Sequence, residues 1–131
     1  EEIKIQIGAA MYLPDKLLME VKGRDMITGL PKVITVTSDD VTAAIQNELE
    51  GIITTVKEVL HKTPPELSAD VMDKGIVLSG GSSQLRNLDT LIAEATGVPT
   101  FVAEDPQQCV VKGTGIALEN LEAYKRSIFT S

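Results

Sequence analysis

The chain of 131 residues is long enough for one compact domain, or for a small domain with an additional lobe, and 43% hydrophobic with 24% charged residues is the composition of an ordinary soluble globular protein. A formal net charge of −7 excludes non-specific binding to nucleic acid, because contact with phosphates needs clustered Lys and Arg. Charged residues interrupt every apolar stretch before the roughly 18 residues that span a bilayer, which excludes an integral membrane protein.

The first segment predicts the end of a helix followed by a β-hairpin. Apolar residues in EEIKIQIGAAMY recur at helical spacing, and Pro14 is expected to end the helix. Between Leu17 and Thr37, two runs rich in β-branched residues flank the turn sequence TGLP, which predicts the hairpin. Because the chain begins with Glu-Glu-Ile-Lys, without Met or a signal-peptide pattern, we expect it to be part of a larger protein.

A long helix is predicted after the hairpin. Ser38 is expected to cap it, with Asp39 and Asp40 in the first turn, where they meet the positive end of the helix dipole. Apolar residues then keep a spacing of three to four positions as far as about Lys62.

A boundary between two lobes is predicted inside this helix. Gly51 lowers the stability of a helix interior by roughly 1 kcal/mol relative to Ala, so we expect a kink or a break between Asn47 and Gly51. The boundary placed there separates a smaller lobe, residues 1–47, from a larger lobe, residues 48–131.

The remainder alternates helices and strands. The run TPP stops the long helix, and a short helix is predicted to end at Gly75. GIVLSGG predicts a buried strand that leads into paired glycines. Ser82 or Ser83 is expected to cap the next helix, which Gly97 ends.

A second strand and a last helix complete the chain. VPTFVAE predicts the strand, and the last helix is expected to begin at Asp105-Pro106 and to reach about Arg126. This alternation predicts an α/β architecture.

The segment GIVLSGGSSQLRNLD, residues 75–89, is the strongest candidate for a functional site. A glycine pair after a strand lets the main chain approach a flat ligand closely, and N–H groups at the start of a following helix are free to donate. From the residues alone, this pattern fits a tight turn as well as it fits a binding site.

This segment resembles the adenosine motif of the actin and heat-shock-chaperone ATPase superfamily. TVTSDDV, TPPEL, GIVLSGG and AEDPQQCVVKGTGIALEN are most similar to the C-terminal lobes of the bacterial MreB family, and the resemblance covers essentially the whole chain. It implies the C-terminal half of an actin-like (ribonuclease H-like) α/β ATPase fold. The smaller lobe would be a hairpin plus a helix, and the larger lobe strand-helix-strand-helix.

The resemblance implies a role for each residue of the glycine-containing loop. Gly80, Gly81, Ser82 and Ser83 would lie along the purine, and Gln84 would cover its face. Ser82 stands where many MreB sequences have a third glycine, but a serine is small enough for the contact.

Glu1 and Lys4 are candidate ribose ligands. Three positions apart on a helix, they project to one side, where a carboxylate can accept from ribose hydroxyls and an ammonium can donate to them. The residues alone favour an exposed ion pair. The resemblance, in which this helix borders the adenosine pocket, implies the ribose site.

Other conspicuous residues fit structural roles better than catalytic ones. His61 lies at a polar helix end without an implied partner, and Cys109 is expected to be a buried structural thiol that fits a reducing cytoplasm. Asp39 and Asp40 are better explained by helix capping than by metal binding. The sequence Gly-Thr-Gly at 113–115 suggests close packing of a helix against the strand before the glycine pair.

The resemblance implies an ATP-binding cytoskeletal subunit that polymerises into filaments and directs cell shape. ATP hydrolysis in the superfamily needs two Asp-x-Gly phosphate hairpins, an acid that positions Mg²⁺ and a residue that orients water, and none of these motifs occurs here. We therefore expect the chain alone to be inactive, with Mg²⁺ supplied by a part of the site outside it.

The implied partners are further copies of the protein, through the hairpin strands and exposed helix faces, and the membrane-anchored RodZ on the larger lobe. The implied location is the cytoplasmic side of the inner membrane, without direct insertion by this chain and without a nucleic acid partner. Two other functions stay open: a chaperone-type or sugar-kinase-type ATPase that clamps a substrate, and an interaction module with a degenerate nucleotide site.

Overall fold

The computed structural model describes residues 1–128, in which six α-helices accompany two pairs of strands. In chain order the elements are α1 (Glu2–Ile7), β1 (Leu18–Arg24), β2 (Pro31–Thr37), α2 (Ser38–Lys62), α3 (Pro65–Lys74), β3 (Ile76–Leu78), α4 (Leu88–Thr96), β4 (Thr100–Val102), α5 (Cys109–Glu119) and α6 (Leu121–Ile128). None of the helices in this described part is both long and apolar enough to cross a membrane.

The predicted β-hairpin is confirmed. β1 and β2 pair in antiparallel register along their whole length. Asp25 organises the connecting loop: its Oδ1 accepts hydrogen bonds from the backbone N–H groups of Ile27 and Thr28 at 2.9 and 3.0 Å, and its Oδ2 pairs with Lys32 Nζ at 3.2 Å. The loop is thus held by the Asp25 carboxylate, and the exposed side chain of Ile27 makes none of these contacts.

The N-terminus of α2 is capped one residue earlier than predicted. Thr37 Oγ1 accepts from the N–H of Asp40 at 3.2 Å, and Asp40 Oδ2 accepts from the N–H of Thr37 at 2.8 Å, which is a capping box. Ser38, the predicted cap, is buried, and its Oγ accepts from the N–H of Leu17 at 3.2 Å. Ser38 therefore joins the hairpin to α2 instead of capping the helix.

The predicted break into two helices is wrong, because α2 runs without interruption for 25 residues, and the alternative of a kink stays a prediction. Gly51 is exposed within it, and Thr55 Oγ1 donates to the carbonyl of Gly51 at 2.9 Å. The flanking residue Leu49 is buried in the core, so tertiary packing offsets the low helix propensity of glycine. The lobe boundary between residues 47 and 48 stays a prediction, and the last residues of the larger lobe, 129–131, lie outside the described part.

The capping box makes the start of α2 sensitive to acid. The backbone N–H and then the hydroxyl of Thr37 donate to the Asp40 carboxylate and hold its pKa below the ordinary value of 3.8. Because the folded-state pKa is the lower one, this stabilisation is complete above pH 3.8 and is lost as the pH falls through the folded value. We expect Asp40→Ala to lower the urea midpoint of unfolding more at about pH 6 than at about pH 3, which lies below the ordinary pKa of the carboxyl group. An equal decrease at both pH values would contradict this account.

Both strands predicted in the second half of the chain are present, and β3 and β4 form the second pair. They are parallel, with Ile76 opposite Thr100, and α4 connects them. Gly75 ends α3 with φ +83° and Gly97 ends α4 with φ +73°, so both predicted glycine stops are confirmed.

Two helix ends differ from the sequence predictions. α1 ends at Ile7, well before Pro14, because Ala9 forms a parallel bridge with Arg86 and the N–H of Ala10 donates to the Arg86 carbonyl at 2.8 Å. The last helix is not continuous. A 3-10 turn (Pro106–Gln108) precedes α5, and α5 ends at Glu119. Its C-cap is Asn120, whose Nδ2 donates to the carbonyl of Ile116 at 3.0 Å.

A small core lies between α2, α4 and the segment after α1. Its buried members in mutual contact are Ala10, Leu49, Leu88 and Ile92. Ile76 and Leu78 of β3 pack against this core, but Val77 is 64% exposed and Phe101 of β4 is 52% exposed. The prediction of a wholly buried strand is therefore wrong in this chain: the strand pair is covered on one face only.

Candidate functional site

β3 leads into the glycine turn, residues 80–84. Gly80 has φ +89° and ψ 169°, a conformation that residues with a side chain rarely adopt, and the 3-10 turn Gly81–Gln84 follows. The buried Ser83 donates from Oγ to the Gly80 carbonyl at 2.7 Å. Gly81 is exposed, and among residues 1–128 a Cβ on it would meet, within 4 Å, only the amide nitrogen of Gln107 at 3.9 Å. The turn is therefore braced internally and open to solvent at Gly81.

The helix after the turn begins later than predicted. α4 starts at Leu88, and its N-cap Asn87 has φ +61° and forms no capping hydrogen bond with its side chain. Neither Ser82 nor Ser83 caps this helix, since the Ser83 hydroxyl is engaged inside the turn. The main chain of the 3-10 turn therefore follows β3, and not the predicted N-terminus of a helix.

The turn is also held from outside by the proline loop, residues 105–107. The N–H of Gly80 donates to the Pro106 carbonyl at 2.7 Å, and Gln107 Nε2 donates to Gln84 Oε1 at 3.1 Å. The loop itself is fixed, because Asp105 adopts φ +47° and its carboxylate pairs with Lys112 at 2.6 Å. No local pattern signals these contacts, since the partners lie 23 or more positions apart, and sequence analysis missed Gln107.

α1 approaches the segment that follows the turn. Arg86 Nη1 donates to the carbonyls of Ile5 and Gly8 at 3.3 and 3.2 Å, which ties the end of α1 to the chain just beyond Gln84. Glu1 and Lys4 form an exposed ion pair of 2.9 Å near the start of the helix. The hydrogen bond from Lys4, and then the positive charge of Lys4, lower the pKa of Glu1. The helix is thus adjacent to the glycine turn through Arg86, and the ion pair expected from the residues alone is present.

The remaining candidates have ordinary surroundings. Asp40 caps α2, and Asp39 pairs with Lys16 at 2.6 Å. Cys109 is only partly buried, with Sγ 3.7 Å from the carbonyl oxygens of residues 104 and 105, so the prediction of a buried thiol is wrong. The predicted close packing at residues 113–115 is also wrong: apart from chain neighbours and the backbone of α5 itself, no described atom lies within 4 Å of a Cβ built on either glycine.

Comparison with known proteins identifies the family. The sequence profile of the family "MreB/Mbl protein" matches residues 1–126. The cell shape-determining protein Mbl of Bacillus cereus is 46% identical over 122 residues, which are 93% of this chain and 37% of that protein. The cell shape-determining protein MreB of Escherichia coli K12 is 42% identical over 130 residues, or 99% of this chain and 38% of that protein.

The fold agrees with a solved structure. The crystal structure of MreB5 of Spiroplasma citri bound to ADP superposes with a TM-score of 0.87 at 32% identity and covers 95% of this chain and 38% of that one. The described residues are therefore an α/β part of an actin-like fold. The chain belongs to the MreB/Mbl family of cell shape-determining proteins, and it spans less than two fifths of the length of these relatives.

Proposed function

We propose that the full-length protein containing this chain binds ATP at the glycine turn. Gly80, Gly81, Ser82 and Ser83 would lie along the purine, Gln84 over its face, and Glu1 and Lys4 beside the ribose. The observation that supports this most directly is the exposed main chain at Gly81, where the nearest described side-chain atom to an added Cβ is the Gln107 amide nitrogen at 3.9 Å. The bound ADP of the Spiroplasma citri relative makes a nucleotide the natural ligand for this proposal.

The described residues supply only the adenosine part of such a site. Within residues 1–128, no three His, Cys, Asp or Glu side chains are grouped as metal ligands, so the proposal assigns Mg²⁺ and the phosphates to residues elsewhere in the full-length protein. Glu1 and Lys4 can each exchange a partner for a ribose hydroxyl, because their ion pair is exposed and weakly stabilising.

The protein is further proposed to polymerise into filaments, as a subunit whose two lobes, residues 1–47 and 48–131, both touch neighbouring copies. The hairpin loop supports a contact in the smaller lobe, because Met26 and Ile27 are 94% and 96% exposed. Burial of these two apolar side chains against a second copy would favour association. Docking of membrane-anchored RodZ on the larger lobe, at the cytoplasmic face of the membrane, completes the proposal.

The proposal is tested by sedimentation of the full-length protein. Filaments that pellet with ATP and not without it are the expected result. A protein that stays soluble and phosphorylates a sugar would favour the kinase-type alternative, and one that releases a bound polypeptide on ATP hydrolysis would favour the chaperone type.

The hairpin contact has its own test. We expect Ile27→Asp to raise the critical concentration for sedimentation several-fold, because a charge at this position cannot be buried against a second copy. The variant should fold normally, since only the backbone N–H of Ile27 is used in the loop. Ile27→Val, which keeps an apolar side chain, is the control and should assemble like the wild type. Unchanged assembly of Ile27→Asp would remove the hairpin loop from the interface.

A further inference from the structure

Gln107 crosses the glycine turn from one end to the other. Its amide nitrogen lies 3.9 Å from the position of a Cβ on Gly81, and the same nitrogen donates to Gln84 Oε1 at 3.1 Å. The backbone hydrogen bond from Gly80 to Pro106, at 2.7 Å, fixes the start of the turn to the same loop. The turn is thus attached to the proline loop at both ends, once through the main chain and once through a pair of side-chain amides.

The two attachments differ in what they control. The bond between Gly80 and Pro106 fixes the path of the main chain. The bond between Gln107 and Gln84 fixes the direction of a side chain that is otherwise exposed and free to change rotamer. An exposed glutamine loses side-chain entropy when it is ordered against a ligand, and a partner that orders it beforehand reduces that loss at binding.

From this geometry we infer that Gln107 is a positioning residue for nucleotide binding, which orders Gln84 before the base arrives. This role rests on the proposed function, because it presupposes that Gln84 lies over the purine. The proline loop then contributes to binding of the base through Gln107, without any contact with the phosphates.

The loop that positions Gln107 is well suited to the task. Pro106 has a fixed φ, Asp105 is held in its left-handed conformation, and the Asp105–Lys112 ion pair connects the loop to α5. The N–H of Gln108 donates to the Asp105 carbonyl at 2.8 Å, which closes the turn in which Gln107 sits. Gln107 is therefore presented by a stiff segment, as a positioning group must be.

The test is a double-mutant cycle on the full-length protein, with ATP affinity measured by calorimetric titration. Gln107→Leu and Gln84→Leu are each expected to weaken ATP binding about three- to tenfold, the effect of one net hydrogen bond of the neutral kind. Gln107→Leu should have no further effect in the Gln84→Leu background, because its only action is through Gln84. Gln108→Leu is the matched control, an exposed glutamine in the same 3-10 turn (Pro106–Gln108), and should stay within about twofold of the wild type.

A second ligand separates positioning from a general loss of structure. Inorganic tripolyphosphate has no base, so its affinity, measured by competition, should be the same in the wild type and in Gln107→Leu. The inference is overturned if Gln107→Leu binds ATP like the wild type, if it weakens ATP binding equally with and without Gln84, or if tripolyphosphate binding falls in parallel. A wild-type protein that binds neither ligand would instead refute the proposed function, and the role of Gln107 with it.

Discussion

Replacing Gly81 with valine is expected to weaken ATP binding by the full-length protein about tenfold or more. The backbone at Gly81 is not in the left-handed region, and beyond its chain neighbours the nearest described atom to an added Cβ is the Gln107 amide nitrogen at 3.9 Å. The fold therefore has room for the new side chain, but a base lying on the main chain does not. Overlap of this kind costs about 1–3 kcal/mol, which corresponds to about one to two powers of ten in affinity. Calorimetric titration with ATP measures the change.

The control for this prediction is a glycine that is equally exposed but remote from the proposed site. Gly51 in the middle of α2 also has nothing within 4 Å of an added Cβ, and Gly51→Val should leave the ATP affinity unchanged. The melting temperature of Gly81→Val should stay close to that of the wild type. If Gly81→Val binds ATP normally, the glycine turn is not a base platform, and the chain is better described as an interaction module with a degenerate nucleotide site.

The types of the elements could be predicted from the sequence because their signals are local. The β-branched runs on either side of TGLP indicate the hairpin, and the periodic apolar residues after Thr37 indicate α2. Gly75 and Gly97 end their helices because left-handed or extended positive-φ backbone is accessible to glycine alone without strain. These features depend on residues within a few positions of one another.

The ends of several elements could not be predicted, because distant residues determine them. α1 stops at Ile7, and just beyond it the N–H of Ala10 donates to the carbonyl of Arg86. The side chain of Arg86 also donates to the carbonyl of Gly8, a residue 78 positions earlier in the chain. The sequence TSDD offers two hydroxyl caps for α2, and the choice of Thr37 follows from the use of Ser38 by the distant Leu17. The hydrogen bond from Gln107 to Gln84 also joins residues that are distant in the sequence. The glycine turn could therefore be predicted from the sequence, but the contacts that hold it could not.

The exposed strand pair shows that burial, too, could not be predicted from the sequence. An apolar run such as IVL predicts burial on both faces, and Val77 is nevertheless exposed in this chain. The matched part makes up 37–38% of the length of the Bacillus cereus and Escherichia coli relatives.

Gly75 is the residue at which the fold of the candidate site is most vulnerable. It joins α3 to β3, directly before the strand that leads into the glycine turn, with φ +83° and ψ −179°. This backbone conformation is essentially restricted to glycine. A Cβ at Gly75 would also lie 2.6 Å from the Pro99 carbonyl oxygen and 2.6 Å from Cε2 of Phe101, and the carbonyl cannot move without shifting β4.

We expect Gly75→Ala to lower the free energy of unfolding by about 2–4 kcal/mol, since backbone strain of about 1–3 kcal/mol adds to a clash with main chain. Urea unfolding followed by circular dichroism measures the loss. Gly51→Ala is the matched control and should stabilise the chain by about 0.5–1 kcal/mol, because Gly51 is helical and exposed with free space around it. A Gly75→Ala variant as stable as the wild type would show that β3 and β4 can move apart without lowering the free energy of unfolding. The support of the glycine turn by the proline loop would then not depend on their pairing.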